Sequence, residues 1–397
     1  MNKSEFSNLI DYVEWRGDLT FSQVPLTEVD AIIFSQLAYL NFDGLFVKEK
    51  YTLQEAAELF RLAPDYNTRS YMGMLINEQI PELLEKCGHS ARFKDVEISD
   101  YVSILDGEKE EQFAAAVFAF DKKKYMIAFR GTDDTLIGWK EDFNFSFLPV
   151  IPYQTEALSY FSKIAQKFNG ELYLCGHSKA GNAVVYVAVN AQKKEQKRIA
   201  GIYDFDGPGF VPEFYERSEY KAIEPYLKTF FPENSIVGMV FTHSKEFKIV
   251  QSNENGVMQH DPLTWNIRGN FAVQSNDFTD ESKFFNTAFN EWAGRLSPQK
   301  RERFVNILFD VINASGAKSN TEIDENKLSA SAKMFSEFAK LDSEDKKYVM
   351  EIIHGLIKAG KNSLPMIGAL NFENPVGPVI DRIKNNIAEY KEKKINS

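Results

Sequence analysis

Residues 171–190, ELYLCGHSKAGNAVVYVAVN, place Gly176-His177-Ser178-Lys179-Ala180-Gly181 between a short apolar run and a long one. In a Gly-x-Ser-x-Gly turn, small residues on either side let strand and helix approach closely, and the serine hydroxyl is left exposed as a nucleophile. The flanking positions here are Gly176 and Ala180, so a methyl group stands where the pattern has its second glycine. Five residues are a short match, and an ordinary strand-to-helix turn has the same outline. The context favours chemistry. An apolar strand precedes Ser178, and the segment after it is apolar all round, as in a helix packed inside a sheet protein, although the β-branched AVVYVAV also suits a strand.

A serine hydroxyl needs a base to take its proton and a carboxylate to orient that base. The chain has five histidines. In the order serine, acid, histidine, His89 and His177 come too early, leaving His243, His260 and His354. His243 closes SIVGMVF, an expected strand. His354 lies in the amphipathic helix DKKYVMEIIHGLIK expected after Asp342. His260 lies in NENGVMQHDPLTW, a turn-rich loop beyond the last expected strand, where functional groups are commonly carried. His260 is therefore the expected base; without the serine motif it would read as a loop histidine with local hydrogen bonds.

Acyl chemistry also requires backbone N–H groups aimed at the oxygen that gains charge, one from the residue after the nucleophile and one from an earlier strand-to-helix loop. Lys179 supplies the first. The second is expected from IAFRGTDDTLIGWKEDF at 127–143, a strand ending in Arg130-Gly131-Thr132, where the glycine permits a sharp turn and Thr132 can add its hydroxyl.

AFRGT followed by Trp139 and Asp142, then GHSKAG and a late His260, resembles the class 3 lipase group of α/β-hydrolases, with its Phe-Arg-Gly-Thr or Ser, Trp, Asp and Gly-His-Ser-Leu-Gly-Gly. DYVEWRGDLTF, DFDGPGF, and SIVGMVF with QHDPLTW look closer still to a bacterial lipase-like family known as a domain of unknown function. The likeness spans roughly residues 8 to 270. It implies an ester hydrolase with Ser178 as nucleophile, His260 as base and Thr132 in the oxyanion hole. One position departs from the pattern. Class 3 lipases carry Asn-Asp-Ile-Val after the seventh strand, with that Asp as the acid, whereas this chain has Asn234-Ser235-Ile236-Val237. Some related lipases place the acid after the sixth strand, which here implies Asp206, with Asp204 as alternate and Glu233 third. An Asp before Gly-Pro is also a common turn residue.

The elements that must position these groups follow from periodicity. Residues 1–90 read as a helical lead-in, with a capping-box spacing at Thr52 and Glu55. VEISDYVSIL, QFAAAVFAF and YMIAF read as strands, TEALSYFSKIAQKF as a helix, and ELYLC, RIAGIYDFD, SIVGMVF and EFKIVQS as further strands. The alternation argues for an α/β-hydrolase fold with a mostly parallel central sheet. The aromatic-rich stretch 207–233 is a possible cap. The expected division is an α/β-hydrolase domain over 1–275 and a helical C-terminal region over 276–397, the latter with a helix starting at Ser297-Pro298 and a polar linker at SNTEIDEN, 319–326.

With 397 residues, 44% hydrophobic and 33 of them Phe, the chain can bury a large core. Net charge is −11 with scattered basic residues, which excludes a nucleic-acid footprint. Two cysteines, Cys87 and Cys175, are too few for a disulfide framework. The amino terminus breaks its apolar residues with charges, and no run approaches membrane-spanning length. The expectation is a soluble cytoplasmic serine hydrolase acting on a lipid or acyl ester, without metal or cofactor. A thioesterase or peptidase uses the same machinery, and a degenerate hydrolase that only binds would account for Ser235 and Ala180.

Overall fold

The β-rich run that begins at Val96 folds as three successive antiparallel strands, β2 (Glu97–Asp106), β3 (Glu111–Asp121) and β4 (Lys124–Phe129), after a short edge strand β1 (Lys50–Thr52). The computed structural model describes residues 7–73, 76–244 and 246–350. Beyond β4 the sheet continues in parallel through β5 (Glu171–His177), β6 (Ile199–Phe205), β7 (Leu227–Pro232) and β8 (Lys248–Val250). Neighbours in the sheet are neighbours in sequence throughout the eight strands. This is the expected α/β fold with a mostly parallel sheet.

Strand alternation divides the core between the two faces. Met126, Ala128, Cys175 and Phe205 enter one cluster, with Phe34, Leu37 and Trp265. Ile127, Phe129, Leu172 and Leu174 enter the other. The first face is covered by the lead-in, whose helices are α1 (Leu9–Arg16), α2 (Glu28–Leu37), α3 (Leu53–Arg61), α4 (Tyr66–Ser70) and α5 (Ile80–His89). Thr52 caps α3 in the expected box with Glu55. Burying both faces is what allows parallel strands to be apolar along their whole length.

The second face carries α7 (Pro152–Lys167) and α8 (Lys179–Asn190), while α6 (Leu136–Asn144) follows the loop after β4. AVVYVAV is helical within α8, where Ala183, Val184, Val187 and Ala188 are fully buried. Packing on the sheet overrides the β preference of its valines.

Several expectations are corrected. SIVGMVF is not a strand: Ser235 N, Met239 N and Val240 N each donate to the carbonyl three residues earlier, and Phe241 has a φ of 65°. The strand instead is β7, inside the 207–233 stretch expected as a possible cap; its six residues end in proline, which obscures the pattern. The rest of that stretch includes short helices at Pro212–Tyr215 and Ser218–Ile223. SNTEIDEN is not a linker, since Asn320–Glu325 is helical and Ser319 caps it. The helix opened by Ser297-Pro298 runs to Asn313. His354 and the rest of its expected helix from 351 onward lie outside the described residues.

The chain divides into two compact units, Met1–Arg301 and Glu302–Ser397. The helix Asp280–Arg295 belongs to the first because Ser282 Oγ donates to Ser235 O at 2.5 Å and Asn286 Nδ2 to Met239 O at 2.7 Å. Described helices of the second unit include Asn320–Glu325 and Lys327–Lys340, which bury Ile323, Met334 and Phe338.

Candidate active site

Ligands of parallel α/β sheets bind beyond the carboxyl ends of the strands. In this sheet Phe129 pairs with Gly176, His177 with Phe205, and Phe205 with Phe230, so the ends of β4 to β7 lie level. Arg130-Gly131-Thr132 follows β4, Ser178 follows β5, Asp206 follows β6, and the loop bearing His260 follows β8.

Ser178 has φ 61° and ψ −131°, a conformation that few non-glycine residues adopt. Its N–H donates to Phe205 O at 2.9 Å, which ties the turn to the end of β6. Gly176 makes the turn possible: a Cβ there would stand 2.5 Å from the carbonyl carbon of Ala180 and 2.9 Å from its Cβ. With glycine on the strand side, the methyl of Ala180 fits without exposure. Gly131 brings the β4 loop equally close, since a Cβ there would stand 3.2 Å from Ser178 Cβ and 2.5 Å from His177 O.

His260 ends a short 3-10 turn, Gly256–His260. Its Nδ1 lies 2.6 Å from Oδ2 of Asp206, which is wholly buried. The other carboxylate oxygen accepts the Ser235 hydroxyl at 2.5 Å. Asp206 itself has φ 52° and donates its N–H to Phe230 O at 2.8 Å. With Nδ1–H given to Asp206, His260 presents Nε2 as an acceptor. The loop is held on several sides: Trp265 Nε1 donates to Gln259 O at 2.8 Å, Asn234 N to Gln259 Oε1 at 2.7 Å, and Asn77 Nδ2 to Asp261 Oδ2 at 2.5 Å.

Asp204, the alternate acid, accepts the Gly207 N–H at 3.0 Å, and burial pushes its carboxyl well above the usual range. Asp206 lies past the strand end in a left-handed conformation, so the two carboxylates serve different neighbours. Glu233 contributes a backbone N–H to Val250 O. His243 is half-buried against Phe231 at a ring distance of 4.7 Å, and loss of hydration pushes it down to about 4.

The Thr132 hydroxyl donates to the Asp142 carboxylate, 2.8 and 2.7 Å from its two oxygens. Loss of hydration pushes Asp142 up to about 6, against the opposing pull of Lys179 and of the Thr132 bond. Lys179, read from sequence only for its N–H, buries its ammonium, which donates to Glu141 Oε2 at 2.7 Å and Gln112 Oε1 at 3.1 Å, above the Tyr153 ring. Glu141 also accepts the N–H groups of Gln112 and Tyr153. Sequence reasoning missed this pair; a lysine opening an otherwise apolar helix was its signal, because a buried ammonium requires an acid.

Among the described residues no group of three or more His, Cys, Asp or Glu is placed to hold a metal ion. None of their helices is long and apolar enough to cross a membrane. Cys87 and Cys175 are buried and free.

A family model described as Mbeg1-like matches residues 87–310, more than half of the chain. Among solved structures, the crystal structure of M37 lipase aligns with a TM-score of 0.35 and 16% identity over 55% of this chain and 70% of that one. No curated protein matches.

Proposed function

The chain belongs to the Mbeg1-like family, a lipase-like family of unknown function, and on that premise we propose that it is a serine hydrolase cleaving an acyl or lipid ester through Ser178, His260 and Asp206. The observation that carries the reading is the 2.6 Å contact between His260 Nδ1 and Asp206 at the end of β6, the strand paired with β5, after which Ser178 is held in a strained turn.

His260 Nε2 takes the Ser178 proton as Oγ bonds to the ester carbonyl carbon. The carbonyl oxygen becomes an oxyanion, met by the N–H groups of Lys179 and Thr132. Lys179 opens α8, and the first N–H groups of a helix have no partner within it. Collapse of the intermediate expels the alcohol, protonated by His260, and leaves an acyl-serine that water cleaves by the same steps. Asp206 keeps the imidazole in the Nδ1–H tautomer and stabilises the imidazolium.

Labelling of the purified protein with a fluorophosphonate probe tests the reading without knowledge of the natural substrate. Wild type is expected to label at Ser178 and to hydrolyse p-nitrophenyl butyrate, and Ser178→Ala to do neither. Labelling retained in the alanine variant would sink the assignment.

A further inference from the structure

His177 stands next to the proposed nucleophile, yet the reaction above makes no use of it. It is 5% exposed, and both ring nitrogens are engaged: Nε2 lies 2.7 Å from the main-chain oxygen of His260, and Nδ1 lies 2.8 Å from the hydroxyl of Tyr39. A carbonyl only accepts, so Nε2 must carry the proton. Nδ1 is then the acceptor, and Tyr39 donates to it. The network thereby assigns one tautomer. Burial, and then the His260 ring at a centroid distance of 4.4 Å, keep His177 well below the usual histidine range, and therefore neutral.

Tyr39 comes from the lead-in, just beyond the end of α2 and ahead of the family-matched residues 87–310. Its hydroxyl also lies against Gly131, where a Cβ would overlap it. One phenol thus touches the loop after β4 and, through His177, the loop that carries His260.

We propose that Tyr39 and His177 are positioning residues for the reaction: His177 donates through Nε2 to the main chain of His260, Tyr39 locks the donating tautomer, and the lead-in thereby completes the active site. The inference rests on the serine-hydrolase reading. Side-chain contact between His260 and Asp206 sets the ring's tautomer, but the carbonyl contact fixes where the ring's backbone sits relative to Ser178. A small displacement of a base is costly in turnover and nearly silent in substrate binding.

The test uses the full chain. At neutral pH, ¹⁵N-edited spectra of the imidazoles are expected to show His177 as the neutral Nε2–H tautomer, and an Nδ1–H or doubly protonated ring would overturn the proposal. Tyr39→Phe removes a single oxygen; it is expected to lower kcat for p-nitrophenyl butyrate by about tenfold, with KM held within about twofold. His177→Gln, which keeps a donor, should retain more of kcat than His177→Leu at comparable melting temperature. If wild type labels at Ser178 while Tyr39→Phe and His177→Leu turn over at its rate, this inference alone fails. If wild type does not label, the serine reading fails and takes the proposed role of His177 with it.

Discussion

Ser235 donates its hydroxyl to Oδ1 of Asp206 at 2.5 Å, on the carboxylate oxygen that His260 leaves open. Ser235 occupies the place where the Asn-Asp-Ile-Val pattern of class 3 lipases has its acid. In the proposed triad the carboxylate comes instead from Asp206 at the end of β6, and Ser235 donates to it. Ser235 is itself fully buried and held through its carbonyl by Ser282.

Removing that support tests its contribution. Hydrogen bonds to charged groups contribute about 1.5–3 kcal/mol, so Ser235→Ala is expected to lower kcat by about ten- to a hundredfold with little change in KM. Steady-state kinetics alongside a thermal melt decides the matter; an unchanged kcat would show that Asp206 needs no second partner.

The two aspartates of β6 and its end should separate cleanly. Asp206→Asn is expected to cut kcat by roughly 10⁴, because the amide favours the wrong imidazole tautomer, while the fold survives. Asp204→Asn should act on stability, through the Gly207 N–H it accepts, and leave kcat within severalfold of wild type. Equal losses of kcat in both variants would remove Asp206 from its proposed role.

Lys179 and Glu141 form a pair with side-chain exposures of 1% and 0%. Breaking such a pair strands a buried charge at a cost of about 3–5 kcal/mol. Lys179→Met should therefore shift the urea midpoint strongly downward, and Lys179→Met with Glu141→Gln should recover part of the loss. A double variant no more stable than Lys179→Met would mean that Glu141 does not depend on the ammonium.

Asp142 provides a pH signature. Its carboxyl ordinarily titrates near 3.8 and in the folded chain near 6, so the folded state holds that proton more tightly than the unfolded one. The stabilisation it contributes is complete below pH about 3.8 and is lost as pH rises through about 6. Melting temperatures of wild type and Asp142→Asn, compared across this window, should show wild type losing ground as pH rises. The opposite slope would contradict the raised value.

Local features in the sequence were enough to place some groups. Gly176 and the apolar run around it locate a strand-to-helix turn with Ser178 at its apex. Arg130-Gly131-Thr132 marks a strand end, and the turn-rich surroundings of His260 mark a loop. Each depends on backbone geometry or hydrophobic spacing within a few residues, which residue type alone constrains.

The choice between Asp206 and Asp204 was not local, because strand alternation gave both the same face and only the left-handed turn after Phe205 sends them to different partners. The same holds for β7, whose LKTFFP is too short and too near proline to declare itself until β6 and β8 pair on either side. SIVGMVF has strand composition, yet it makes turns; within it Ser235 reaches Asp206, and Gly238 leaves no room for a Cβ against Phe231. Tyr39 and His177 are 138 residues apart, as Lys179 and Glu141 are 38. Sequence shows that a buried histidine or lysine must find a partner, because an unpaired polar group in a core is costly. Which tyrosine and which carboxylate answer is decided only when the sheet brings distant segments together at the ends of its strands.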